Sequence, residues 1–357
     1  MILLFDMNPP LLWWCAADEN GTAKNKCEFS TGWFNRVFED IGDTHNITAI
    51  GYFMYHGGEE IQEPVGMLSA DSLMKLEKSI KYLPEYNDIL YKTALYWVTR
   101  LPMVPQILFC DTAFFLDLPP ESATYALPYK LRKSGIRRYG GYGICHQWAW
   151  SQALVLNHKP TKRVVSIHLG NVTNCAAILD GIPIETSIGF TSVEGIPSPY
   201  SCGDIDPTII FQLFSQGMSF DEINQVLSRD SGFSGFLGKP CSFLDLMQHG
   251  DESDIAPVRD IFSYSLQKYI GAMISVLGGV DALIFHSRYP DDTRAFIDSL
   301  IPSLGFLGIS KPEHETIQQE PYRLTARDSD IQVFSLPYNK WEIMAEKART
   351  LLAKQEV

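Results

Sequence analysis

Nothing in the 357-residue chain approaches an uninterrupted apolar run of the length a bilayer needs, about 18 to 20 residues, so no transmembrane helix is expected. The apolar start, Ile2 to Phe5, meets Asp6 at once and has no basic residues before it, so it does not read as a secretory leader. Cysteine is sparse: seven residues (Cys15, Cys27, Cys110, Cys145, Cys175, Cys202 and Cys241), widely spaced, odd in number and without a C-x-x-C pair. Neither a disulfide framework nor a zinc knuckle follows, and reduced thiols in the cytoplasm are the expectation. Basic charge is also short, 29 Lys and Arg against 42 Asp and Glu, a formal net charge of -13. Such a surface repels nucleic-acid phosphate and anionic membranes, which excludes both as expected partners. Low-complexity segments and long linkers are missing too. So is a phosphate loop: Gly232-x-x-Gly235-x-x-Gly238-Lys239 fails the G-x-x-x-x-G-K-[ST] spacing, is followed by Pro240, and reads as a flexible loop.

What is present is a globular composition, 45% hydrophobic and 20% charged, and length for roughly two domains at about 150 residues each. Ile2 to Phe5, Ile47 to Tyr55 and Gln106 to Cys110 are short β-prone runs ending at polar or glycine residues, as strands do when they deliver polar groups to a sheet edge. Helical spacing lies between them, over Ala70 to Tyr82 and Asp88 to Leu101. A second series follows Lys159-Pro160: strands over Arg163 to His168, Cys175 to Leu179, Val280 to Phe285 and Ile331 to Leu336. Helices are expected over Asp206 to Gln216, Phe220 to Leu227, Ile255 to Leu277 and Lys340 to Gln355. The expected class is α/β, with two sheet-centred lobes and a ligand cleft between them. The expected boundaries are residues 1–148 plus 340–357, and residues 149–339.

Two glycine-rich runs narrow the reading: Gly189-Phe190-Thr191-Ser192-Val193-Glu194-Gly195, then Gly203-Asp204-Ile205-Asp206-Pro207. Together they resemble the G-F-T-P-L-E-G and S-G-D-I-D-P segments of the acetate kinase family. The likeness continues, in family order, through Asp111-Thr112-Ala113-Phe114, Tyr125 to Tyr129, Gly135 to Gly140, His168 to Asn171, Lys268 to Gly271 and Gly278 to Ala282. The resemblance implies the fold of the actin and sugar-kinase superfamily, a homodimer, and phosphoryl transfer between Mg-ATP and a short carboxylate.

Phosphoryl transfer needs cations and hydrogen-bond donors around the moving group, and the resemblance shows where this chain departs. The family's N-x-G-S-S-S-L-K is Asp6-Met7-Asn8-Pro9-Pro10-Leu11-Leu12-Trp13, whose prolines remove amide donors. Its metal-binding P-T-N-E-E is Pro337-Tyr338-Asn339-Lys340-Trp341, so no metal ligand is expected. One substrate arginine is Phe53, beside His56, and the other is Ser201. Two family histidines are Tyr86 and Tyr142. The nucleotide motif S-S-D-x-R reads Cys241-Ser242-Phe243-Leu244, and the glycine-rich adenosine loop is Ser287-Arg288-Tyr289-Pro290. Asp111 matches the catalytic aspartate, and His168, Gly170 and Asn171 match part of the nucleotide-binding H-x-G-N-G. Asp111 and His168 also fit an ordinary structural role, hydrogen-bonded at strand ends.

The glycines have been kept while the cations have become aromatic or aliphatic. Phe53, Tyr55, Tyr86 and Tyr142 are expected to line an aromatic cleft that either collapses on itself or holds a small apolar or carboxylate ligand. Trp13, Trp14 and Trp341 are expected in that cleft or in a subunit contact. The leading expectation is a catalytically silent homologue acting by binding or assembly, with no cofactor. The alternative is an active carboxylate kinase using Mg-ATP through a rebuilt site around Asp6, Asp111 and His168.

Overall fold

The computed structural model describes residues 1–8, 11–18, 21–28, 37, 39, 46–309 and 322–355. Pro9 and Pro10, central to the expected loss of a phosphate cradle, lie outside the described residues. The chain divides into two compact units, Met1–Leu116 with Gly141–Cys145 and Asn339–Val357, and Asp117–Gly140 with His146–Tyr338.

The first unit is built on strands β1 (Ile2–Asn8), β2 (Leu11–Asp18), β3 (Gly21–Glu28), β4 (Ala49–Met54), β5 (Val65–Met67) and β6 (Gln106–Cys110), in the order β3-β2-β1-β4-β6-β5. β1 pairs antiparallel with β2 but parallel with β4, and β4 is parallel to β6. Every side chain of β1 from Ile2 to Met7 is buried, which is why that segment reads as an apolar run with one carboxylate embedded in it. Helices α1 (Ala70–Lys78) and α2 (Pro84–Arg100) follow. The helix expected to run to Tyr82 tightens into a 3₁₀ turn over Ser79–Tyr82, and α2 begins at Pro84, a residue pre-set for a first helical position. Phe5, Tyr52, Trp97 and Leu108 pack in this unit's core.

Two expectations are corrected here. The strand expected over Ile2 to Phe5 continues to Asn8, and Leu11 to Asp18 forms an antiparallel partner strand whose side chains are buried in near-alternation. Trp14 belongs to the unit's apolar core, and Trp341 is buried as well.

The second unit contains most of helix α3 (Gly143–Leu156), then β7 (Arg163–Leu169), β8 (Asn174–Leu179), β9 (Ile182–Thr186), α4 (Phe220–Ser228), α5 (Ala256–Leu277), β10 (Ala282–Ser287), β11 (Tyr322–Arg323) and β12 (Gln332–Pro337). Its sheet order is β11-β12-β10-β7-β8-β9. β7 pairs antiparallel with β8, β8 antiparallel with β9, and β7 and β12 are both parallel to β10. This repeats the first sheet's plan: an antiparallel meander of three strands, then two parallel additions beside the first of them. The capping box Ser219/Glu222 starts α4, and left-handed Gly278 ends α5. The segment expected as a flexible loop is a short helix, Gly232–Leu237, closed by Gly238 at φ 65°. The chain ends in α6 (Lys340–Ala353), which belongs to the first unit. Among the described residues, no helix is long and apolar enough to cross a membrane.

Candidate functional site at the carboxyl ends of the first sheet

Three neighbouring parallel strands end together. Asp6 lies near the end of β1, where its register partner on β4 is Phe53, and Asp111 directly follows β6. Polar groups at the carboxyl ends of parallel strands are where α/β sheets place their ligands.

Asp111 is buried, and both of its oxygens are engaged: Oδ2 accepts from the Tyr142 amide at 2.6 Å and Oδ1 from the Ile144 amide at 3.1 Å. Those amides open the first turn of α3, so the carboxylate caps a helix N-terminus and also meets its dipole. Burial nevertheless pushes the Asp111 carboxyl up to about 6; the two amides and the Lys340 charge oppose that rise, and Asp6 adds to it. Tyr142 adopts φ 59°, a left-handed conformation unusual for a bulky residue. The next residue, Gly143, leaves no room: a Cβ there would sit 2.2 Å from the Asp111 carbonyl oxygen. Gly143→Ala is therefore expected to displace Asp111 and cost about 1–3 kcal/mol, read as a fall in Tm. An unchanged Tm would contradict the close approach.

Asp6 is the other buried carboxylate. Its Oδ2 accepts from Lys340 Nζ, the first residue of α6, and the two side chains are each only 7% exposed. The same ammonium stands 4.2 Å from the centroid of the Phe53 ring, with the rings of Tyr55 and Trp341 each at 5.6 Å. Phe53 packs edge-on against Tyr55 at 4.9 Å, and Tyr55 against Tyr86 at 5.4 Å. Burial, then the Asp6 carboxylate, raises the Tyr55 hydroxyl well above its ordinary range, so it stays a neutral phenol. His56 lies beside this row: it stacks on Tyr82 at 5.3 Å, its Nδ1 accepts from the Gly58 amide at 3.1 Å, and burial lowers its pKa to about 4.

Of the residues singled out by sequence, Phe53, His56, Tyr86, Asp111 and Tyr142 lie in the first unit, and Ser201, His168, Gly170 and Asn171 in the second. Ser201 shares a hydrogen bond with Ser198 Oγ at 2.6 Å, and Asn171 is exposed. His168 sits in a chain of buried polar groups that sequence reasoning did not assemble. Its Nδ1 lies 3.3 Å from His286 Nδ1, His286 Nε2 lies 3.0 Å from Ser166 Oγ, and that hydroxyl lies 2.8 Å from His146 Nδ1. His146 Nε2 meets Asn174 Oδ1 at 2.6 Å. Strand register explains the set, since His168 and His286 are paired residues on β7 and β10.

These rings are held neutral. Burial lowers His146 to about 4 and puts His168 and His286 well below 6.5; neighbouring histidine charge adds to both, and Arg288 adds to His168. The unfolded chain binds more protons than the folded one between pH 6.5 and the depressed folded values. Stability from these histidines is complete above pH 6.5 and falls as the pH drops toward 4, by roughly 3 kcal/mol for His146 alone. Asp111, raised, has the opposite sign between 3.8 and about 6, one group against the histidines. Tm is expected to decline steadily from pH 7 to 4.5; a flat profile would contradict the neutral cluster.

A magnesium ion, implied by the resemblance, does not fit the first-sheet site. Magnesium requires oxygen ligands, and the oxygen Asp6 presents at that place is already taken by an ammonium group of the same sign as the metal.

Two duplicated mixed sheets, with buried carboxylates at the carboxyl ends of parallel strands in the first, define an α/β protein of the actin and sugar-kinase type. A family model described as "Acetokinase family" matches residues 22–346. The chain belongs to the acetokinase family. It is similar to the acetate kinase of Clostridium novyi (strain NT), 31% identical over 332 residues, covering 90% of this chain and 82% of that one. It is likewise similar to the acetate kinase of Halothermothrix orenii, 32% identical over 313 residues, covering 85% and 78%. Among solved structures, Porphyromonas gingivalis acetate kinase shares the fold, with a TM-score of 0.85 at 23% identity over 98% of this chain and 99% of that one.

Proposed function

We propose that this chain uses the acetokinase fold for binding or assembly and does not transfer phosphate between Mg-ATP and a carboxylate at the first-sheet site. One observation carries the reading: the Lys340 ammonium is paired with Asp6 beside the Phe53 ring, so the charge that would complement a metal-bound phosphate is consumed inside the protein. Phe53, Tyr55 and Tyr86 then form an aromatic row suited to a small apolar or carboxylate ligand. A homodimer, as the family resemblance implies, is part of this proposal.

A second reading, an active acetate-type carboxylate kinase with Mg-ATP, is favoured by the comparisons, which support it better than they support silence. Relatives at 31 to 32% identity over most of the chain are named acetate kinases. Asp111 also favours it, since a carboxyl near 6 is poised for proton transfer close to neutral pH. Acyl phosphate formation from acetate and Mg-ATP, trapped as the hydroxamate, separates the two. No product above background supports the first reading; product that disappears in Asp111→Asn establishes the second.

A further inference from the structure

We infer that Asn174, His146, Ser166 and His286 act as positioning residues that fix His168 as its Nδ1–H tautomer, so that its Nε2 offers a lone pair beside Gly170 and takes hydrogen-bond donors, not phosphate oxygens. The tautomer stands on the hydrogen bonds alone; its consequence for ligands rests on the proposed binding role.

The polarity of the chain is set at its buried end. Asn174 Nδ2 donates to the Val172 carbonyl at 2.8 Å, and a carbonyl can only accept, so the Asn174 atom turned toward His146 is the acceptor Oδ1. His146 therefore carries its hydrogen on Nε2, and its Nδ1 accepts from the Ser166 hydroxyl at 2.8 Å. That hydroxyl has one hydrogen, so toward His286 Nε2, 3.0 Å away, it is the acceptor. A neutral imidazole has one N–H, which leaves His286 Nδ1 to accept across the 3.3 Å contact and His168 Nδ1 to donate. His168 Nε2 is then the nitrogen with the lone pair. Asn174, His146 and Ser166 are wholly buried, where bulk water does not compete for these groups. Each link has one allowed direction as long as the rings are neutral, and burial keeps them so.

Gly170 lies against that nitrogen: a Cβ there would sit 2.9 Å from His168 Nε2, so a glycine is the residue that does not crowd it. A deprotonated phosphate oxygen brings only lone pairs and is repelled by another lone pair, whereas a hydroxyl, amide or ammonium group donates to it. The Arg288 charge, which lowers His168 further, disfavours the second ring proton that would turn Nε2 into a donor. The histidine kept from the nucleotide-binding motif thus has the wrong polarity for phosphate, and the cause lies in side chains of α3, β8 and β10 outside the motif.

The test is nitrogen NMR of the full chain labelled at histidine, in which the ring shifts and couplings report which nitrogen bears hydrogen; His168→Gln identifies the His168 signals by their loss. Near neutral pH, wild type is expected to show a single His168 tautomer, protonated at Nδ1, and no saturable change at Nε2 on adding millimolar inorganic phosphate. Ser166→Ala, which cuts the chain between His146 and His286, is expected to populate the Nε2–H tautomer of His168. Ser166→Thr, which keeps the hydroxyl, is expected to retain the wild-type form. Asn174→Leu, which removes the acceptor at the buried end, is the second variant and is expected to act as Ser166→Ala does. A merely structural role would lower Tm in these variants and leave the tautomer as it was. Wild-type His168 protonated at Nε2 overturns the inference, and so does a tautomer unchanged in both Ser166→Ala and Asn174→Leu, or saturable phosphate binding at wild-type Nε2. The wild-type spectrum decides the tautomer even where a variant does not fold. Acyl phosphate formation tests the proposed function separately: its appearance would remove the binding role and leave the tautomer standing.

Discussion

Lys340→Met in metal-free buffer is expected to cost the folded state about 3–5 kcal/mol, on the order of 10 °C in Tm. The pair it breaks is almost dry, each side chain being 7% exposed, and the loss leaves Asp6 charged and buried, its other oxygen accepting no hydrogen bond of ordinary geometry among the described residues. Two effects oppose this. Removing a cation from the first turn of a helix returns about 0.3–1 kcal/mol, and burying methionine in place of the ammonium recovers some apolar contact. Neither matches the uncompensated carboxylate. Adding Asp6→Asn to Lys340→Met is expected to restore at least about half of the loss, because the neutral pair asks for no counter-charge. A lysine variant as stable as wild type would show that the ion pair contributes nothing.

Acyl phosphate formation is expected to fall at least about 10³-fold below that of an acetate kinase carrying the family's arginines, even with acetate and Mg-ATP saturating, and to be undetectable in practice. One arginine at a transferring phosphoryl group is worth roughly 10³–10⁵ in rate. Phe53, which the family resemblance sets at one such place, is the T-shaped partner of Tyr55, and Ser201, set by it at the other, is hydrogen-bonded to Ser198. Lys340, whose charge opposes the rise of the Asp111 carboxyl, is bound to Asp6. The Asp111 carboxylate is likewise committed to two amides, which gives it a structural duty that survives without catalysis. Turnover within tenfold of an acetate kinase would mean that groups outside this set stabilise the phosphoryl transition state.

The strands that carry the site were legible in the sequence because parallel strands buried on both faces are continuous apolar runs. Ile2 to Phe5, Gln106 to Cys110 and Arg163 to His168 all fall within observed strands. The hairpin formed by β1 and β2 was not, because Pro9-Pro10 masks the return of an apolar strand immediately after it. Helix α3 went unassigned for a different reason: its first four residues are all buried, so no polar stripe marks a helical period. Within the site, the loss of cations was readable from the family motifs residue by residue. The Lys340–Asp6 pair was not, since its members lie 334 positions apart and each, alone, reads as a loss. The available signal was their coincidence: where the family has asparagine and glutamate, this chain has aspartate and lysine, a charge-complementary exchange. The histidine chain needed the register of β7 and β10, which no local pattern supplies.

Calorimetric titration of the wild-type chain with ATP in excess magnesium bears most directly on the role assigned to Lys340 and the aromatic row. The expected result is no saturable heat at millimolar nucleotide. Magnesium-dependent binding in the micromolar range would contradict it, because the Lys340 ammonium beside the aromatic row is already paired with Asp6 and leaves a triphosphate with its metal no counter-charge there among the described residues.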